Sequence, residues 1–372
     1  MNFKLTTLGL SLAGIMGVQC LFAQTTASTQ SVTATTTPVT TETTEVKPPP
    51  LSISGQVDAY YRFSSAKAAG LTSYTPATNA FGLGMANVTI GKDVGKVSFV
   101  ADLMFGPRAE ITNYNDRTSL AFIKQLYLTY KPTDKIKFTM GNFMTFVGYE
   151  LVEATNNFNY SMAYNYTNGP FHHTGLKVDF ALSENFGLMV GAFGPTDNKL
   201  YSGAPTKMNF GGQLSYVNGG FKAYLNALTG QSHNPLTLKE LIDTTTSDVT
   251  ILDLTLSYQV SPKVGLGLNV INKSAKLSAD KNAKSASFTG IAAYLNYAVS
   301  DKFILAGRYE NFNDSEGVAA LNAKINAFTL SGNIKIDALT ITPEIRFDSA
   351  DKALFGVEKS DFAFILATTY KF

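Results

Sequence analysis

From Leu51 to the C-terminus the chain alternates apolar residues with small or polar ones. The runs last about ten residues each and end in turns. A period of two puts every second side chain on one face, the mark of a strand with one apolar side. In the first run Ile53, Val57, Ala59, Tyr61 and Phe63 share one parity, while Ser52, Ser54, Gln56, Asp58 and Arg62 take the other. The split recurs in Val97, Phe99, Ala101, Leu103 and Phe105, and in Leu252, Leu254, Leu256 and Tyr258. It closes the chain in Phe362, Phe364, Leu366, Tyr370 and Phe372. The run from Ala80 to Ile90 alternates poorly.

The connections are of two kinds, in alternation. Short turns lie at 92–96, 132–135, 183–185, 218–220, 261–263, 300–302 and near Asp337. Longer polar connections lie around 64–79, 106–119, 144–171, 195–206, 229–248, 272–285, 313–323 and 349–359. Seven short turns and eight long loops predict sixteen strands, with both ends of the wall on the short-turn side. A soluble β-sandwich also alternates. Lipid is favoured here by the Gly, Ser, Asn and charge on the non-apolar face and by the sorting of long and short turns to opposite ends. The terminal aromatic Phe372 adds to this. Tyr130, Tyr216, Tyr258, Tyr297 and Phe303 lie near strand ends, where interfacial girdles belong, although the chain has no Trp. The expected fold is therefore all-β: a transmembrane antiparallel β-barrel of about 16 strands over 51–372. An open edge would leave backbone groups unpaired in hydrocarbon, which implies closure. A closed barrel of this size encloses an aqueous channel.

One connection breaks the pattern. Residues 144–171, between strands 5 and 6, neither alternate nor carry a helical stripe. From Gly141 to Gly175 the chain holds six Asn and four Tyr, with Glu150 and Glu153. A long connection that packs by its own side chains is usually functional. It is predicted to fold into the lumen and constrict it; capping the mouth is the alternative.

Composition narrows the setting. The chain has 372 residues, 16% charged and 45% hydrophobic. Lys4 and the apolar stretch 8–18 read as a secretory signal peptide over 1–23, cut between Ala23 and Gln24. Residues 24–50, rich in Thr and ending in three prolines, read as a periplasmic tether. Cys20, the one cysteine, lies in the leader, so the mature chain has no disulfide or thiolate metal site. Without Lys4 there are 29 basic and 28 acidic residues, which argues against a nucleic-acid partner.

Inner parity assigns Asp102, Lys177, Asp179, Lys222, Asp253, Arg308, Glu310, Lys335, Glu344, Arg346 and Asp348 to the lumen. Mixed signs predict weak ion selectivity. Arg308 with Glu310, and Glu344 with Arg346, each set both signs on one face. In the loop, Glu150 and Glu153 are expected to face the basic wall. Tyr149, Asn156, Asn157, Tyr160, Tyr164 and Asn165 offer hydrogen bonds and stacking suited to small polar solutes. His172 and His173 adjoin the loop. A triad with Ser161 and Glu153 lacks a nucleophile elbow. Adjacent histidines in a strand point to opposite faces and do not share a metal. Gly82/Gly84 and Gly265/Gly267 lack the third glycine of a dinucleotide fingerprint. No enzyme, cofactor or metal site is expected.

Across 141–178 the chain resembles the OmpL-like β-barrel porin family. The likeness lies in Gly148-Tyr149-Glu150, Glu153, the Asn-Tyr-Ser of 159–161, and Gly169-Pro170 leading to His173-Thr174-Gly175. Similar strand spacing extends over 51–372. The resemblance implies a porin in the outer membrane of a Gram-negative bacterium, passing small hydrophilic solutes or ions by passive diffusion. The alternative is a plugged barrel acting as a surface adhesin or receptor. It implies outer-membrane lipid as a partner, a homotrimer as the assembly, and recognition of Phe372 by the barrel assembly machinery. The chain is also loosely similar to phosphate-selective porins, but their lysine ladder is not evident in it. The resemblance supplies no solute.

Overall fold

The computed structural model describes residues 50–372 except 117, 202–206, 234–245, 278–281 and 283. The predicted leader, and the tether up to residue 49, lie outside the described residues. Eight strands form the first half of the wall: β1 (Ser52–Ser64), β2 (Ala80–Val94), β3 (Val97–Phe105), β4 (Ile123–Thr133), β5 (Ile136–Met144), β6 (His172–Ala181), β7 (Phe186–Phe193) and β8 (Asn209–Asn218). Eight more follow: β9 (Phe221–His233), β10 (Thr246–Ser261), β11 (Val264–Leu277), β12 (Ala286–Ser300), β13 (Phe303–Asn313), β14 (Lys324–Ile336), β15 (Leu339–Ala350) and β16 (Ser360–Lys371). Each pairs antiparallel with its chain neighbours, and β1 pairs with β16 to close the barrel. At the seam Gly55 and Phe372 each donate an N–H to the other's carbonyl at 3.0 Å.

The alternation now has two faces. On β1 Val57 and Phe63 are exposed, whereas Gln56, Asp58 and Arg62 are buried. On β16 Phe362, Leu366 and Tyr370 are exposed, whereas Asp361, Ala363, Ala367 and Thr369 are buried. An apolar exterior around buried charge is the reverse of a water-soluble protein and fits a wall solvated by lipid. Near the short turns an outward aromatic row runs from Phe186 through Tyr216 and Phe221 to Tyr258, with ring centroids 4.8–6.2 Å apart. Near the long loops the outward residues pair by hydrogen bonds, as in Asn272–Thr289 (3.1 Å) and Asn311–Asn326 (2.9 Å). The apolar band therefore sits between an aromatic rim below and a polar rim above.

Two irregularities change which residues point inward. In β2 the register shifts by one residue between Ala59↔Leu83 and Val57↔Ala86. Gly84 and Met85 are consequently both buried, which explains the poor alternation of 80–90. In β4 a bulge at Lys124 and Gln125 lets Lys124 turn into the barrel.

Three of the long connections fold inward. The chain between β1 and β2 supplies Tyr74, whose hydroxyl lies 2.7 Å from that of Thr112 and 2.9 Å from that of Tyr166. Between β3 and β4, α1 (Pro107–Thr112) supplies Thr112 and the fully buried Arg108. Residues 145–171, between β5 and β6, supply Tyr166 and go deepest.

Candidate functional site

The segment 145–171 has little regular structure: one 3-10 turn at Ala154–Asn156 and one helical turn, α2 (Tyr164–Thr167). Buried backbone without a ladder must find other partners. The wall provides them with matched chemistry. Glu344 on β15 accepts the N–H of Tyr160 (2.7 Å) and of Ser161 (3.0 Å). Glu310 on β13 accepts that of Tyr164 (2.7 Å), and Asp253 on β10 that of Gly148 (3.0 Å). The carbonyls are met by guanidinium groups, Arg308 to Ser161 at 2.6 Å and Arg346 to Met162 at 2.9 Å. Wall carboxylates thus serve loop N–H groups, and wall arginines serve loop carbonyls.

Sheet register builds this cradle. Across β13, β14 and β15, Arg308, Thr329 and Arg346 stand in one row; Glu310, Ala327 and Asp348 stand in another two residues away. Ser331 and Glu344 pair on the other side of the arginine row. Bases lie between acids, with small residues on the middle strand. Arg308 bonds Glu310 (2.8 Å) and the loop's Glu150 (2.7 Å). Arg346 bonds Asp348 (2.8 Å) and reaches Glu310 (3.3 Å). The Arg308 side chain is 0% exposed and Glu150 is 4%. Glu150 therefore touches the basic wall directly instead of facing it across water. Its second oxygen accepts the N–H of Ala163 at 2.7 Å, which folds the loop back on itself.

The other predicted residues are spread around the loop. Tyr149 stacks on Tyr294 of β12, with centroids 4.2 Å apart and rings 19° from parallel. It fits because Gly267, opposite Tyr294 in the register, has no side chain; a Cβ there would strike the Tyr149 ring. Tyr160 donates its hydroxyl to Asp58 on β1 at 2.6 Å. Glu153 pairs with Lys124, which also holds Asp102 at 2.6 Å. Asn157 binds Leu151 inside the loop, its Nδ2 donating to the carbonyl at 2.6 Å. Asn156 lies 3.4 Å from Lys371 Nζ at the underside. Tyr164 donates to Asp348 (3.0 Å), and Asn165 to Asn269 (2.9 Å).

Two anchors escape sequence reading. Lys124 belongs to the bulge of β4, so parity misplaces it. Arg108 lies outside any strand; it bonds Asp58 at 3.0 Å and covers the rings of Tyr74 and Tyr160 at 4.7 and 4.9 Å. The histidines diverge. His173 is packed between Phe146 and Phe193, each 5.1 Å away, whereas His172 lies 3.5 Å from Asp116 of the outer loops. Asp116 is also bound by Lys199 at 2.7 Å. Burial pushes the Asp116 carboxyl up, but His172 and Lys199 outweigh it and hold it below the usual range.

Cavities lie on both sides of the segment. One of about 470 Å³ opens among Asn168, Phe171, Asp197 and Lys273 toward the long loops. Two others, of about 80 and 240 Å³, lie toward the short turns, and Asn156 and Asn157 line the smaller. The molecule is thus a sixteen-stranded membrane barrel with an inward loop at mid-height between an outer and a periplasmic vestibule.

The family described as "Putative beta-barrel porin-2, OmpL-like" matches residues 50–372, and the chain belongs to it. It is accordingly an outer-membrane porin by family. No curated protein matches it by sequence. Solved structures share its fold at low identity. An anion-selective porin from Comamonas acidovorans is 12% identical with a TM-score of 0.60, covering 87% of this chain and 99% of that one. The trimer form of OmpT from Vibrio cholerae is 14% identical with a TM-score of 0.59 over the same shares. The outer-membrane channel DcaP of Acinetobacter baumannii is 12% identical with a TM-score of 0.59, covering 87% and 97%.

Proposed function

We propose that the chain, after removal of the 1–23 leader, is a weakly selective channel for passive diffusion of small hydrophilic solutes or ions. It catalyses no reaction. The observation that carries this reading is the loop seated at mid-lumen with cavities above and below it. Arg308, Glu310, Glu344 and Arg346, with Glu150, Glu153 and Tyr160, set the width of the passage by fixing the loop, while Tyr149, Asn156 and Asn157 shape its surface. The trimer form of the Vibrio cholerae relative supports a homotrimer as the assembly. A second reading is a closed barrel that acts through its outer loops as an adhesin or receptor. The burial of the Arg308–Glu150 pair is the observation in its favour.

Conductance in planar bilayers separates the two. The porin reading expects stepwise channels and a small reversal potential in a salt gradient. Replacing residues 150–165 by a short Gly-Ser linker should raise the unit conductance; an unchanged value removes the constriction role. A folded barrel that opens no channels sinks the diffusion reading and leaves the second.

A further inference from the structure

At the periplasmic end of the lumen, three adjacent strands turn lysines inward. Lys131 follows Tyr127 and Thr129 on the inner parity of β4. Lys137 precedes Thr139 on β5, and Lys177 of β6 lies opposite Thr139. Together with Lys92 they line the cavity of about 240 Å³. Two carboxylates stand nearby: Asp93 in the cavity wall and Asp179 opposite Lys137. Asp179 is divided between two bases, 3.1 Å from Lys137 Nζ and 3.8 Å from Lys177 Nζ. Lys177 reaches it across the Phe143 ring, 5.2 Å from the centroid. Neither Lys131 nor Lys92 enters an ion pair among the described residues.

The recess contrasts with the seat of the loop. Arg108, Lys124, Arg308 and Arg346 each have a buried carboxylate within 3.0 Å. Their charges are answered from inside the protein. Around the recess three inward lysines, Lys131, Lys137 and Lys177, meet two carboxylates, Asp93 and Asp179, and the surplus positive charge lies on the cavity wall. A positive recess with low-dielectric walls concentrates anions. The hydroxyls of Thr129 and Thr139 in the same lining add donors suited to an acceptor with several oxygens.

We propose that this recess binds small free oxyanions, carboxylate or phosphate, below the loop, and that it gives the channel a mild anion preference. The selectivity half of this rests on the diffusion reading; the binding half does not.

The test uses the full barrel folded in a phospholipid-free detergent, so that no lipid headgroup competes. Chloride NMR line width is followed while inorganic phosphate is added. Phosphate should displace the broadened chloride, and Lys137→Gln/Lys177→Gln should weaken phosphate by roughly tenfold. Lys207→Gln, an exposed lysine paired with Asp248, should change nothing. If the double variant does not fold, Lys131→Gln alone should weaken phosphate by roughly threefold. Equal phosphate affinity in the folded variants and the wild type overturns the site. In bilayers the wild-type reversal potential should lie on the anion side and move toward cations in the double variant; no movement overturns the selectivity claim. Phosphate binding without channels keeps the site and removes the diffusion reading. Channels whose barrel binds no phosphate do the opposite.

Discussion

Arg308 commits every guanidinium nitrogen: Nε to Glu310, Nη1 to Glu150 and the Ser161 carbonyl, and Nη2 to the Thr329 hydroxyl at 3.2 Å. Removing one partner from such a buried set strands the others. Arg308→Ala should cost about 3–5 kcal/mol in urea unfolding of the detergent-solubilised barrel. Replacing Arg308 by Met together with Glu150→Gln and Glu310→Gln should recover much of that loss, because no charge is left stranded. An equal loss in single and triple variants would mean that shape, not charge, holds the loop. Gly267 makes a second test. Gly267→Val puts methyl groups into the Tyr149 slot and should cost about 1–3 kcal/mol. Combined with Tyr149→Ala it should cost less than the sum of the two, and simple additivity would break the proposed contact. Arg308, Glu310, Glu344 and Arg346 were readable from parity because β13 and β15 keep a strict period of two. Lys131 and Lys137 obey the same rule, but they sit beside turns, where alternation offers little contrast.

At the scale of elements, strand number and turn order were legible because each strand must show lipid one face for its full length. The 145–171 loop was legible only as an exception to that rule. Its partners were not, since nothing local in 145–171 says which wall carboxylate will accept Tyr160 N–H. The bulge of β2 shows in the sequence only as poor alternation and that of β4 not at all, because one extra residue inverts parity without changing composition. The outer loops have their own fastening, Asp116 with Lys199 and His172. A carboxyl held low in the folded chain contributes stability that is complete above its unfolded pKa of about 4. That contribution fades as pH falls through the folded value. Asp116→Asn should therefore lower stability at neutral pH and flatten the acid limb of the stability curve. The same acid limb in variant and wild type would exclude the pair as its source.

For the whole molecule, the inner loop ties together parts of the wall that are distant along the chain. It bonds β1 through Asp58, β10 through Asp253, β11 through Asn269, and β13 to β15 through the cradle. The longest of these spans, from Ser161 to Arg346, is 185 positions. Contacts of such span form only after long segments of chain have been brought together. The loop is made early in sequence, between β5 and β6, yet its seat is complete only when β15 is in place. The final strand then seals the seam at Gly55 and Phe372. Glu150 and much of the loop backbone therefore find their partners only in the last quarter of the chain, which also supplies the closing strand.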